Sequence, residues 1–461
     1  MTIKSGLKRT VSCLALASAV TLVGCQKEEL MENQFESSVE QSPSEIGNAI
    51  AGQYIVVFKN GKSKLSSSGS NDMSTTERAS FSTMRDRMLN EANISRTDLV
   101  QKFDGVVNGF AARLSEEQVA NLRKNSNVAY IEQDRVISLG KGNNKDFTNT
   151  GKGGTKKNNG GTTTDPTPTP TEPTPTEPTP TDPVTTEPAP APAPAPTTNS
   201  YTTITPIAGE NLPWNIERVG YGDGTGKTVW VIDSGIDTDH PDLNVDLSRS
   251  VSFIYGVTSV EDGYGHGTSV AGVIAAKNNG SGMIGVAANA KVVALRVFDD
   301  VGSGTVSRAI SAVNHASTYA KPGDVVNMSL GAGISSTLDN AVIAAAAKGI
   351  FFAIAAGNSG VDCSGTSPAR VDAPGVYTIS AMDVYNRLWS SSNYGASVDF
   401  AAPGANVTVT TKGGGIGSGG YGTSFAAPHV AGVLLLRGTV YSQGTITGDK
   451  DNTPDPIASV K

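Results

Sequence analysis

Cysteine is scarce in this 461-residue chain: only Cys13, Cys25 and Cys363 occur, the first two in or beside an apolar leader. That excludes a disulfide framework. Charged residues make up only 17%, the net charge is -7 and no lysine–arginine cluster marks any segment, so no nucleic-acid partner is expected. Aromatics reach only 6%. Metal-hydrolase spacings such as HExxH are missing. Residues 222–228 come close to a phosphate loop, but Tyr221 stands where its first glycine belongs and a strand pattern follows, so no nucleotide is expected.

Glycine (52) and proline (24) are plentiful instead. Much of the proline lies in Thr-Pro and Ala-Pro repeats ending at Pro196, within a Pro/Thr/Gly-rich linker over residues 140–205. Such a segment buries no core and extends by about 3.1 Å per residue as a polyproline helix. Ahead of it, residues 51–139 carry strand patterns at 54–58 and 128–132 and helical stretches near 81–92 and after Ser115-Glu116-Glu117. Beyond it, residues 206–440 alternate strand runs (228–232, 291–297, 324–328, 350–355, 376–380, 398–400) with helical runs (306–319, 338–348). Alternating units of this kind predict an α/β fold, a mainly parallel sheet with helices on both faces and ligands at the carboxyl ends of the strands. Residues 441–461 read as a polar tail.

The stretch GTSFAAPHVAG, residues 422–432, places one hydroxyl, Ser424, at the start of an apolar helix. Free N–H groups and partial positive charge there suit a nucleophile and an oxyanion. A serine also needs a base and a group that orients the base. His266, between Gly265 and Gly267 at a helix entrance, and Asp233, at the end of a buried strand pattern, supply these residue types. Separately, the aspartate reads equally as a turn cap and the histidine as a surface residue.

Together DSGID from Asp233, HGTSVAG from His266 and GTSFAAPHVAG from Gly422 resemble the three signatures of the subtilase family, in its Asp, His, Ser order. VFDDVGSG from Val297, NMSLGAG from Asn327, AAGNSG from Ala355 and SPARV from Ser367 are similar to the proteinase K branch. The resemblance covers residues 206–440 and implies a serine endopeptidase of broad specificity on protein or peptide substrates. Asp233, His266 and Ser424 would form the triad, and Asn358, otherwise a turn residue, would donate to the oxyanion. Gly302, Ser303 and Gly304 resemble one substrate-binding edge; Ser329, Leu330 and Gly331 resemble the other. Ala355, Ala356 and Gly357 would line the first pocket. Pro374, Val376 and Asp399 resemble a calcium site, so structural calcium is the expected cofactor. His240, His315 and His429 take structural roles in this reading.

Residues 51–139 resemble the ferredoxin-like inhibitory propeptide of the same family; the other reading is an unrelated ferredoxin-like domain. Its last piece, residues 133–139, would lie in the cleft and be cut near Leu139. Residues 1–24 have the basic start and short apolar run of an export signal, and Leu22-Val23-Gly24-Cys25 resembles a bacterial lipobox. An ordinary signal with an incidental cysteine is the other reading. The lipobox implies diacylation of Cys25, a tether over residues 25–50 and a membrane lipoprotein at the bacterial surface, whose catalytic domain is released by propeptide cleavage. A different class, an inactive surface adhesin on a proline-rich stalk, would leave Asp233, His266, Ser424 and Asn358 without a purpose.

Overall fold

The computed structural model describes residues 47–59, 75–139 and 200–461. The export signal, Cys25, most of the tether and the linker up to residue 199 lie outside the described residues. The N-terminal unit runs β1 (Ala49–Phe58), α1 (Thr75–Glu91), β2 (Leu99–Asp104), β3 (Asn108–Arg113), α2 (Glu116–Arg123) and β4 (Val128–Ser138). Its strands lie in the order β4-β1-β3-β2 and are antiparallel, the ferredoxin-like arrangement expected. Ser115 and Gln118 close a capping box that opens α2, each side chain bonded to the other's backbone N–H.

The larger unit begins α3 (Trp214–Val219), β5 (Thr228–Asp233), β6 (Val251–Ser252), α4 (His266–Ala275), β7 (Lys291–Arg296), β8 (Ser303–Thr305) and α5 (Val306–Tyr319). It continues β9 (Val325–Met328), α6 (Ser336–Ala346), β10 (Phe351–Ala355), β11 (Val376–Met382), β12 (Phe400–Pro403), β13 (Ala405–Thr411), β14 (Gly415–Tyr421), α7 (Thr423–Arg437), β15 (Tyr441–Thr445) and β16 (Pro456–Ser459). Among the described residues, one sheet has the order β15-β16-β12-β11-β10-β9-β5-β7-β6, parallel throughout except for β15.

Alternation of side chains across the strands divides the core in two. Val229 and Val231 of β5, with Ala353 of β10, pack with α4 and α7. Trp230, Ile232, Phe352 and Ile354 point the other way, into a core shared with α5 and α6. Both faces are covered, which is why these strands read as continuous apolar runs.

Three boundaries differ from expectation. Residues 441–461 are not a tail: β16 pairs with β12, β15 pairs with β16, and Val460 N donates to Val219 O. β15 is polar, and β16, though Ile457 and Ala458 are buried, is only four residues long, so no long apolar run announced them. The folded domain also starts before residue 206, since Tyr201 packs on the core and Thr202 O accepts from Asp223 N. The tether ends before residue 50, because Gly47 and Asn48 already exchange backbone bonds with Val136. Residues 412–414 form the hairpin turn between β13 and β14.

Candidate active site

Asp233 ends β5 wholly buried, and both its carboxylate oxygens face His266 Nδ1, at 2.9 and 3.0 Å. The carboxylate fixes the proton on Nδ1 and leaves Nε2 as an acceptor. Burial of the imidazole pushes its pKa down, but the charge and hydrogen bond of Asp233, with the charge of Asp262 behind them, hold it above the ordinary histidine value. Gly267 permits this closeness: a Cβ there would lie 2.1 Å from Gly235 O.

Asp262 was not anticipated from the sequence. It is fully buried and binds the entrance of α4, where helix N–H groups lack partners. Its Oδ1 accepts from Gly265 N (2.7 Å), Tyr264 N (3.1 Å) and Ser234 Oγ (2.8 Å). Its Oδ2 accepts from Thr268 N (2.9 Å) and Thr268 Oγ1 (2.6 Å). One acid a few residues ahead of a helix was the only signal, and the turn between hid it.

Ser424 lies in the first turn of α7, and the ring of its neighbour Phe425 is 5.5 Å, centre to centre, from that of His266. Ser329 supports the turn by donating from Oγ to Ser424 O at 2.7 Å, while Ser424 Oγ is 3.4 Å from Ser329 O. Asn358, exposed in the loop after β10, accepts at Oδ1 from Thr423 N and Thr423 Oγ1, both at 2.8 Å. The pairing identifies that atom as oxygen, so Nδ2 is the group left to donate. Gly422, at φ +135, keeps room for it: a Cβ would lie 3.2 Å from Nδ2.

The edge formed by Gly302, Ser303 and Gly304 is occupied by the chain's own β4. Ser303, Gly304 and Thr305 pair antiparallel with Ser138, Ile137 and Val136, and Leu139 N donates to Gly302 O at 3.0 Å. Ser329, Leu330 and Gly331 follow β9 beside Ser424, and Ala355, Ala356 and Gly357 end β10 and open the Asn358 loop. Further contacts hold the N-terminal unit in place. Asp134 Oδ1 accepts from Ser307 N at 3.0 Å, and Glu132 Oε2 accepts from Thr337 N at 3.1 Å, at the starts of α5 and α6. Asn314 binds Val107 with both ends of its amide, each at 3.0 Å.

The remaining histidines are structural. His429 is fully buried between Phe425 O and Asn215, with burial pushing its pKa to about 4; His240 bonds Gly415 O and Asp242 N; His315 bonds Arg249 O. Cys363 is buried beside Ser397 Oγ, and burial raises its pKa. Asp399 Oδ2 accepts from Thr378 N, and burial, with the charge of Asp372 adding, pushes its pKa to about 6. A second acidic pair escaped notice. Asp242 is raised by burial and by Glu210, whose Oε1 is buried with no hydrogen-bond partner.

A serine at a helix entrance, a histidine held by a buried carboxylate and a free amide donor beside them make up the constellation of a serine hydrolase. Residues 224–446 match the model of the Subtilase family, and residues 53–140 that of Peptidase inhibitor I9. The chain is 33% identical over 448 residues to Alkaline serine exoprotease A of Vibrio alginolyticus, covering 93% of this chain and 70% of that protein. It is 41% identical over 261 residues to Subtilisin Savinase of Lederbergia lenta, covering 54% of this chain and 94% of that protein. The chain therefore belongs to the subtilase family and is a serine protease with an I9 propeptide.

Proposed function

We propose that the protein is an endopeptidase made as a zymogen, in which Asp233, His266 and Ser424 form the triad. The observation that carries this reading is the antiparallel pairing of β4 with β8: a peptide strand from the chain itself already lies along the cleft edge. Ser424 Oγ attacks the peptide carbonyl carbon as its proton passes to His266 Nε2. Asp233 holds Nδ1–H and stabilises the imidazolium. Asn358 Nδ2 and the Ser424 backbone N–H receive the oxyanion. His266 then returns the proton to the leaving amine, and water, deprotonated by the same nitrogen, hydrolyses the acyl-enzyme. The small residues Ala355, Ala356 and Gly357 leave space for apolar or aromatic side chains before the cut, giving broad specificity; Leu139 fits that preference. The motifs from Val297, Asn327, Ala355 and Ser367 favour a place beside proteinase K within the family.

Export and lipid attachment at Cys25 rest on the leader and lipobox. The lipid then sits on the propeptide side of a cut near Leu139, so cleavage frees the catalytic domain with its proline spacer. Calcium fits two places. Asp399, with the backbone carbonyls of Pro374 and Val376, is one; Glu210 with Asp242 is the other, since Glu210 has a buried oxygen without a hydrogen-bond partner and its charge raises the pKa of Asp242. A cation there would neutralise carboxylates and stiffen loops, with no step of the hydrolysis passing through it.

The test compares wild type with Ser424→Ala by intact mass and N-terminal sequencing. Wild type should lose its first part near Leu139, and the variant should keep it. The new ends also read the side-chain preference. Cleavage of both would mean another protease activates this one, and intact, folded wild type would favour the adhesin reading.

A further inference from the structure

Asn358 sits on an exposed loop, yet that loop is bound from two other parts of the chain. Asn393, buried, donates from Nδ2 to Ala356 O at 2.9 Å. Its Oδ1 accepts from Ser359 N (3.0 Å) and Val361 N (3.2 Å), and its own N–H donates to Gly357 O at 2.9 Å. Four backbone groups flanking Asn358 are thus held by one residue. The second clasp comes from the segment before β16. Lys450 Nζ donates to Ser390 O at 2.8 Å and reaches Gly360 O at 3.4 Å, with the Tyr394 ring centre 5.4 Å away. Lys450 is itself tied down: Asp449 accepts from Lys450 N and from Asp455 N, and Asp455 accepts from Ser380 Oγ of β11. A continuous path of bonds therefore joins the central sheet to the loop bearing Asn358.

An oxyanion donor acts only if its atom is aimed before the charge appears. Thr423 fixes the side-chain end of Asn358, but the backbone that carries it has to be fixed separately. We propose that Asn393 and Lys450 are positioning residues for peptide hydrolysis, holding residues 356–361 so that Asn358 Nδ2 meets the oxyanion. The proposal rests on Asn358 as the oxyanion donor, and it makes the C-terminal segment part of the catalytic apparatus.

The test uses matured enzyme and the variants Asn358→Ala, Asn393→Asp and Lys450→Met, singly and with Asn358→Ala. Asn393→Asp keeps acceptors for Ser359 and Val361 but places a carboxylate against Ala356 O. Removing an oxyanion donor costs roughly 100- to 1000-fold in kcat, so a misaimed one should cost about tenfold in Asn393→Asp and about threefold in Lys450→Met. KM should hold steady, and affinity for a peptidyl aldehyde, whose adduct with Ser424 carries the same oxyanion, should fall in step with kcat. With Asn358 already alanine, both losses should vanish. A rise in KM at constant kcat, or losses of the same size without Asn358, would overturn the proposal and leave a purely structural clasp. Should Asn393→Asp not fold, the exposed Lys450→Met decides by the same two readouts. Unchanged kcat in Asn358→Ala would instead overturn the oxyanion reading beneath it.

Discussion

The two main sheets of this molecule share one pattern and complete it differently. The catalytic sheet covers both of its faces with its own helices, α4 and α7 on one side and α5 and α6 on the other. The propeptide sheet covers only one. Val56, Phe58 and Phe110 pack under α1 and α2 with Met88 and Leu122. Ile55, Val57, Phe103, Val107 and Ala111 belong instead to the core of α5 and α6. The lesson is that one unit closes both faces of its sheet itself, while the other closes one face alone and leaves the second to be closed by contact, so contact adds to the stability of its fold.

The strongest challenge to that contrast is a pair of core truncations. Phe103→Ala on the shared face and Phe110→Ala on the private face each remove a buried ring, a change that costs roughly 3–5 kcal/mol. Phe103→Ala should weaken inhibition by added propeptide at least about a hundredfold, the equivalent of about 3 kcal/mol, while leaving α1 and α2 packed. Phe110→Ala should abolish helical structure in the free propeptide, read by circular dichroism. Equal behaviour of the two would erase the distinction between the faces.

A smaller effect separates polar from apolar binding at the same interface. Asn314→Ala strands both backbone groups of Val107, and unpaired buried groups cost about 1–3 kcal/mol each. Inhibition should weaken at least about 25-fold, with kcat on a peptide unchanged, since α5, which carries Asn314, packs on the opposite face of the sheet from α7.

The pH profile should sense the catalytic half alone. Asp233 and Asp262 raise the pKa of His266, and attack needs neutral imidazole, so kcat/KM should fall with pH through a value above the ordinary 6.5. Asp233→Asn should move that limb downward. In stability terms the sign reverses: the contribution of the raised histidine is complete below its unfolded value and is lost as pH rises through the folded one.

The smallest expected effect concerns calcium. Asp399, near 6 in the fold against 3.8 for the ordinary group, holds its proton longer when folded, so its contribution to stability declines as pH rises from about 4 through 6. A bound cation would offset that decline. A chelator should therefore lower Tm more at pH 8 than at pH 5, and equal losses would count against a cation at Asp399.

Much of this was legible in the chain because local patterns carried it. The helix expected at residues 306–319 is α5 to the residue, its start capped by Thr305, and the strand patterns at 54–58 and 128–132 lie within β1 and β4. The residues that hold the site were harder to see. Asp262 and Asn393 act through backbone groups of other segments, and a lone buried polar residue leaves no periodic trace. Strand β15 was hidden for a related reason: Tyr441-Ser442-Gln443-Gly444-Thr445 has nothing to bury until a sheet edge is already there, and the four residues of β16 are too few to stand out.

The face of α5 that meets the propeptide is a row of Ser307, Ser311 and Asn314, one helical turn apart, bonded to Asp134, Gln101 and Val107. When the propeptide departs, each of these groups can exchange its partner for water. The freed enzyme thus sheds its companion without baring a wholly greasy scar, and a surface that was interior at birth is already fit for solvent.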